Sequence, residues 1–238
     1  MKLFIEHAQP QNLIRIIGDD ARHLFVLRPS IGQILDLSDG TDFFYEGKIT
    51  AIDREGLTVE IIKKEPIVQT NVYISLLAAF LKGDKNEFII QKATELGAEE
   101  VLFYPAANCV SKMKDKAGCK AERFQKIAKL AAMQCGRNRI PQIRLLSSFT
   151  DALLTLDQKN GFLFYENATY RLSRFLKEKQ PAPDTAFAIG PEGGFAPEEI
   201  RQAEEHGIPI LSLGDRILRA ETAPICALSV LLANFGEI

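Results

Sequence analysis

The chain has 238 residues, 46% of them hydrophobic, and a formal net charge of -2, so it can bury the core of one large domain or two smaller ones and offers no whole-chain argument for a polyanionic partner. Its four cysteines, Cys109, Cys119, Cys135 and Cys226, lack C-x-x-C spacing and nearby histidines, which argues against zinc and leaves them as expected core fillers. No window approaches the ~20 apolar residues of a membrane span and Met1 opens no signal pattern, so a soluble cytoplasmic protein without metal is the expectation.

Residues 1–68 read as short strands at 3–5, 13–17, 34–37, 43–49 and 57–62, divided by turn signals such as Ser38-Asp39-Gly40 and Arg54-Glu55-Gly56. A helical stretch at 21–27 stops at Arg28-Pro29. Many short strands at this spacing predict a small barrel, so 1–68 is taken as the first domain. The stretch 63–70 reads as a linker, and beyond it the texture changes. Apolar strands are expected at 71–79, 101–104, 143–146, 161–165, 185–189 and 208–213. Helices are expected at 86–96, at 120–135, from about 151, near 170–179, from Pro197 to Gly207, and after Thr222, where Ile225, Leu228, Ser229 and Leu232 form a stripe. This alternation over 69–238 predicts an α/β domain with a mostly parallel sheet covered on both faces.

Two glycine-punctuated loops follow apolar strands near the C-terminus: Gly190-Pro191-Glu192-Gly193-Gly194, and 213–223, which contains Leu213-Gly214 and Arg219-Ala220-Glu221-Thr222-Ala223. Open α/β sheets bind ligands at the carboxyl ends of their strands, so two such loops together make a pocket rim. Neither G-x-G-x-x-G nor a Walker A pattern occurs. Thr222 reads equally as a helix N-cap or a ligand contact, whereas Arg219 suits an anionic or planar ligand. The segment 112–144 carries ten Lys or Arg against Asp115 and Glu122, a local field suited to phosphates. Its loop places Arg137 and Arg139 as candidate RNA contacts, and Lys82, Lys85 and Lys92 flank another strand end. His7, His23 and His206 are isolated and carry no expected chemistry.

Ala21-Arg22-His23-Leu24 through Arg28, Ile90-Gln91-Lys92-Ala93-Thr94-Glu95-Leu96-Gly97, Gln134-Cys135-Gly136-Arg137, 189–194 and 213–223 resemble, in order and spacing, the RsmE family of 16S ribosomal RNA uridine-N3 methyltransferases. The resemblance implies a PUA-like RNA-binding barrel followed by a SPOUT-type α/β domain with a C-terminal trefoil knot, a homodimer, and S-adenosyl-L-methionine in the knotted loops. On that mapping Gly190, Pro191, Gly194, Leu213, Leu218, Glu221, Thr222 and Ala223 line the cofactor, with Ile189, Glu192 and Gly214 beside them. Arg22 and Arg28 join the RNA-binding residues. Met133 and Ala220 stand where many relatives have glutamate and threonine. Methyl transfer to a uridine nitrogen needs alignment and removal of a proton, for which Arg219 is the expected charge stabiliser and Glu221 the expected proton acceptor. The rival readings are a non-catalytic RNA-binding or ribosome-assembly module and an α/β enzyme acting on a phosphorylated metabolite.

Overall fold

The computed structural model describes residues 2–5, 12–68, 70–109 and 117–238. They group into two compact units, one holding Met1–Gln69 and Lys129–Ile140, the other Thr70–Ala128 and Pro141–Ile238.

The first unit contains β1 (Lys2–Phe4), β2 (Leu13–Ile17), α1 (Gly18–Val26), β3 (Ile34–Ser38), β4 (Phe43–Ile52) and β5 (Gly56–Pro66). They form a five-stranded sheet in the order β1-β3-β4-β5-β2, with β1 parallel to β3 and the other neighbours antiparallel. Alternating side chains from β3, β4 and β5, among them Leu37, Ile49, Leu57 and Val59, are fully buried, as one inward-facing side of a pleated strand requires. Ala132 and Met133 complete this core, so Met133 occupies an apolar interior site. The turn between β3 and β4 is organised by Asp39, which accepts from the backbone N–H of Thr41, Asp42 and Phe43 at 2.9–3.0 Å. The expected linker is partly strand: residues 63–66 belong to β5 and pair with 43–46 of β4.

The second unit adds β6 (Tyr73–Ala79), α2 (Lys85–Leu96), β7 (Glu100–Tyr104), β8 (Gln142–Leu145), α4 (Phe149–Gln158), β9 (Phe162–Phe164), α5 (Leu172–Glu178), β10 (Asp184–Ile189), α6 (Pro197–Glu205), β11 (Ile210–Leu211) and α7 (Ala223–Phe235). Helix α3 (Ala117–Cys135) belongs to this unit up to Ala128 and to the first from Lys129. The sheet order is β11-β9-β10-β6-β7-β8, and every pairing is parallel. Strands β6, β7, β9 and β10 are near-continuous buried apolar runs, the pattern of a sheet covered on both faces, whereas edge strand β8 buries only Ile143. Helix α4 packs on β7 and β10, while α7 packs on α2, β6 and β10. Gly97 ends α2 in the left-handed conformation at φ 115°, which a residue without Cβ adopts freely. Helix α4 starts before its expected position because Ser148 caps it, with Asp151 returning the hydrogen bond to the Ser148 N–H.

Three sequence expectations need correction here. The buried face of α7 is Pro224, Ala227, Leu228, Leu231 and Leu232, whereas Ile225 and Ser229 are only partly buried; the apolar stripe is set by Pro224, one position earlier. Thr222 makes no side-chain cap bond, because its own backbone is helical and its hydroxyl cannot reach the N2 or N3 amide. Of the four free cysteines, Cys119 and Cys135 are exposed and Cys226 is half-buried, while the half-buried Cys109 does pack against the core.

Candidate functional site

The carboxyl ends of β9, β10 and β11, adjacent in the sheet, release three loops that enclose a cavity of about 880 Å³. The first loop contributes Tyr165, Glu166, Thr169 and Arg171; the second Gly190 to Gly194; the third the run from Ser212 to Glu221, with Ala223 behind it. A parallel sheet aims all these strand ends the same way, which is how residues dozens of positions apart come to share one wall.

The second and third loops are held by hydrogen bonds of their own. Tyr104, fully buried on β7, donates its hydroxyl to the Ile189 carbonyl at 2.8 Å. Burial pushes that phenol well up, so it stays a donor. The Asn108 amide donates to the carbonyls of Gly193 and Gly194 at 3.3 and 3.1 Å. Buried Glu199 accepts from the N–H of Ala107 and of Ala196 at 2.8 and 2.9 Å, which sets where α6 begins. In the third loop the Arg219 carbonyl accepts from the N–H of Thr222 and Ala223, each at 2.9 Å, making the tight turn into α7.

Three side-chain contacts link the loops to one another. The Arg171 guanidinium pairs with Asp215, joining the first loop to the third. Glu166 lies over Gly194, where a Cβ would come within 2.3 Å of its Oε1 and displace that flexible carboxylate, while the φ of 69° itself favours glycine. Lys85 joins the second loop to the third, with its Nζ 3.1 Å from Glu192 Oε1 and 3.3 Å from Glu221 Oε2. Burial raises the Glu192 carboxyl, but the Lys82 N–H and the Lys85 ammonium outweigh it and hold it below its ordinary value. The hydrogen bond to Glu192 in turn holds Lys85 above its usual range. Glu221 Oε2 is buried, and the Lys85 ammonium 3.3 Å away is its ion-pair partner.

Of the expected cofactor-binding residues, Ile189, Gly190, Pro191, Glu192, Gly194, Leu213, Gly214, Leu218, Glu221 and Ala223 line this cavity, together with Arg219. Thr222 is exposed and lies outside the lining. Lys85, expected among the RNA contacts, is also in the lining, at the start of α2 and within 3.1 Å of Glu192 and 3.3 Å of Glu221. Of the expected RNA contacts in the second unit, Lys82 and Lys92 are not in the lining. Lys82 is exposed in the second unit, and Lys92 pairs with Glu95 at 2.8 Å. In the first unit Arg22 pairs with Asp19 at 3.2 Å, Arg28 is exposed, and Arg139 donates to the Thr41 carbonyl at 3.2 Å. Arg137 is half-buried there.

The basic segment is also less free than its composition implies. Arg123 pairs with Glu87, Lys129 with Asp20 at 3.0 Å, and Lys120 sits over the Phe80 ring at 4.3 Å; its residues 112–116 lie outside the described residues, as does His7. Sequence reasoning missed the first loop altogether, since it carries no glycine. The available signal was positional: it ends a parallel strand next to β10.

Among the described residues no group of three or more His, Cys, Asp or Glu could hold a metal ion, and no helix is long and apolar enough to cross a membrane. The family model described as an RNA methyltransferase domain matches residues 68–232, and an RNA methyltransferase PUA domain matches 16–62. A ribosomal RNA small subunit methyltransferase E of Bacillus subtilis is 35% identical over 227 residues, covering 91% of this chain and 88% of the relative. Among solved structures, the ribosomal RNA small subunit methyltransferase E of Neisseria gonorrhoeae bound to S-adenosyl methionine superposes with a TM-score of 0.88 at 26% identity, covering 98% of this chain and 96% of the other. A methyltransferase of Legionella pneumophila in complex with the same cofactor gives 0.87 at 32% identity, again covering 98% and 96%. A PUA-like barrel joined to a SPOUT-type α/β domain, with relatives alike over nearly the whole length, makes this chain a member of the ribosomal RNA small subunit methyltransferase E family.

Proposed function

We propose that the chain transfers a methyl group from S-adenosyl-L-methionine to N3 of a uridine in 16S ribosomal RNA of the small subunit. The observation that carries this reading is the three-loop cavity, in a family with members solved around that cofactor. The fit is chemical as well as volumetric. About 880 Å³ suits a ligand of nucleoside size. A sulfonium and an ammonium favour carboxylates, and Glu166, Glu192, Asp215 and Glu221 are all in the lining. The Glu221 carboxylate, whose Oε2 is buried 3.3 Å from the Lys85 ammonium, adds to that acidic lining. Ile189, Pro191, Leu213 and Leu218 offer apolar surface to an adenine, and Gly190, Gly194 and Gly214 leave backbone groups reachable.

Bound there, the cofactor supplies an electrophilic methyl group on a sulfonium centre. The loops hold the two reactants in line, an effect worth up to about 7–11 kcal/mol of barrier for well-oriented partners. Arg219, whose guanidinium has no ion pair among the described residues, stabilises negative charge developing on the uracil oxygens. The Glu221 carboxylate accepts the N3 proton as the N–C bond forms. Arg22, Arg28, Arg137 and Arg139 on the first unit, and Lys82 and Lys92 on the second, supply the RNA contacts. Surface pairs such as Arg22–Asp19 are weak enough for phosphate to displace. The reading extends to a homodimer in the cytoplasm: Phe88 on α2 and Val230 on α7 are exposed apolar side chains that a second copy would cover.

The test is mass spectrometry of small-subunit RNA incubated with the protein and labelled cofactor. One uridine should acquire a methyl group at N3; no incorporation overturns the reading. Under saturating RNA and cofactor, Arg219→Ala should lower turnover by about 10²–10³-fold, the scale for removing one charge-stabilising donor, and near-normal turnover removes Arg219 from the chemistry.

A further inference from the structure

Lys85 is the residue whose surroundings differ most from the expectation of a phosphate contact. Its ammonium lies between carboxylates from two different loops, 3.1 Å from Glu192 and 3.3 Å from Glu221, and its side chain is about one-third exposed. Two acidic neighbours leave it little positive field to offer an incoming polyanion. Glu192 is fixed independently by the Lys82 N–H at 3.1 Å. Glu221 is not: among the described residues Lys85 is its ion-pair partner, and its Oε2 is buried. A glutamate side chain has three rotatable bonds, so without an anchor this carboxylate would sample several rotamers in an open cavity. With the Lys85 ammonium 3.3 Å from its Oε2, the carboxylate is held in place by charge.

We propose that Lys85 is a positioning residue that holds the Glu221 carboxylate in the orientation from which it accepts the proton of the substrate nitrogen, and that it makes no contact with RNA. This rests on the methyl-transfer reading above. It ties the second and third loops into one frame: Glu192 anchors the ammonium and the ammonium aims Glu221. Lys85 thereby acts on turnover and leaves substrate affinity alone.

The experiment is steady-state methylation of small-subunit RNA by the full chain carrying Lys85→Gln, Lys85→Arg, Glu221→Gln, and Lys85→Gln combined with Glu221→Gln. Lys85→Gln should lower kcat by about tenfold while KM for RNA stays within about twofold. Lys85→Arg, which keeps the charge and can reach both carboxylates, should recover most of the loss. In the Glu221→Gln background, Lys85→Gln should cause no further loss, since a residue acting through another has nothing left to act on. A raised KM with kcat retained, or a flatter salt dependence of RNA binding, would mark Lys85 as a phosphate contact and overturn the proposal. Losses that multiply in the double variant would also overturn it. If Lys85→Gln unfolds, Lys85→Arg must restore both the melting temperature and turnover, and its failure to do so overturns the proposal. An unsubstituted chain without methylation activity would sink the function and this inference together, whereas normal activity with an unimpaired Lys85→Gln sinks only the inference.

Discussion

Tyr104 and Ile189 meet at 2.8 Å across β7 and β10, phenol hydroxyl to backbone carbonyl, with the ring fully out of solvent. This bond fixes the strand end from which the glycine loop departs. Tyr104→Phe keeps the packing but strands a buried acceptor, at a cost of about 1–3 kcal/mol. Denaturant unfolding should show that loss, and calorimetry should show weaker S-adenosyl-L-methionine binding. Unchanged cofactor affinity would mean the loop is held by Asn108 and Glu199 alone.

Two glycines with nearly equal backbone angles separate strain from crowding. Gly194 and Gly207 have φ of 69° and 68°, but a Cβ at 194 would strike Glu166 whereas one at 207 meets open space. Both alanine variants should lose about 1–2 kcal/mol from the left-handed backbone. Only Gly194→Ala should also lose cofactor binding, because Glu166 must leave its place in the cavity. Equal effects of the two substitutions on binding would refute this.

Asp39 gives the first unit an acid-sensitive turn. Burial raises its carboxyl, but the N–H groups of Phe43, Thr41 and Asp42 outweigh that and hold it below its ordinary value. A depressed carboxylate contributes stability in full above the unfolded value and loses it as pH falls through the folded one. Asp39→Ala should cost about 1–3 kcal/mol at neutral pH and less in acid, below the ordinary carboxylate range. Melting temperature against pH checks this; a cost that does not shrink in acid contradicts it.

Phe88 and Val230 test the proposed homodimer. A charge at either position, for example Val230→Glu, should leave the fold intact and shift the mass in solution, measured by light scattering, from two chains to one. An unsubstituted chain that is already monomeric excludes the dimer.

Much of the architecture was legible because the relevant signals are local. Gly97, the apolar runs of β6 and β10, and Pro197 at the start of α6 each act within a few residues. The two glycine loops were readable for the same reason. The loop carrying Glu166 and Arg171 was not, since its membership of the cavity follows from the neighbourhood of β9 and β10 and from no residue type of its own. Sequence shows the charge of Lys85 but not the two carboxylates, more than a hundred positions away, that flank it. The stripe on α7 was misplaced by one position because Pro224, a weak apolar signal, is itself buried.

The first unit is not a continuous stretch of chain. Ala132 and Met133 fill its core, Ser38 donates to the Asn138 carbonyl at 2.7 Å, and Arg139 reaches the Thr41 carbonyl, all from residues 129–140. During synthesis the amino-terminal barrel must therefore wait, with apolar surface uncovered, until residue 140 has left the ribosomal tunnel. A fragment cut at residue 68 would carry that wait permanently, and should be a client of chaperones rather than a portable RNA-binding module.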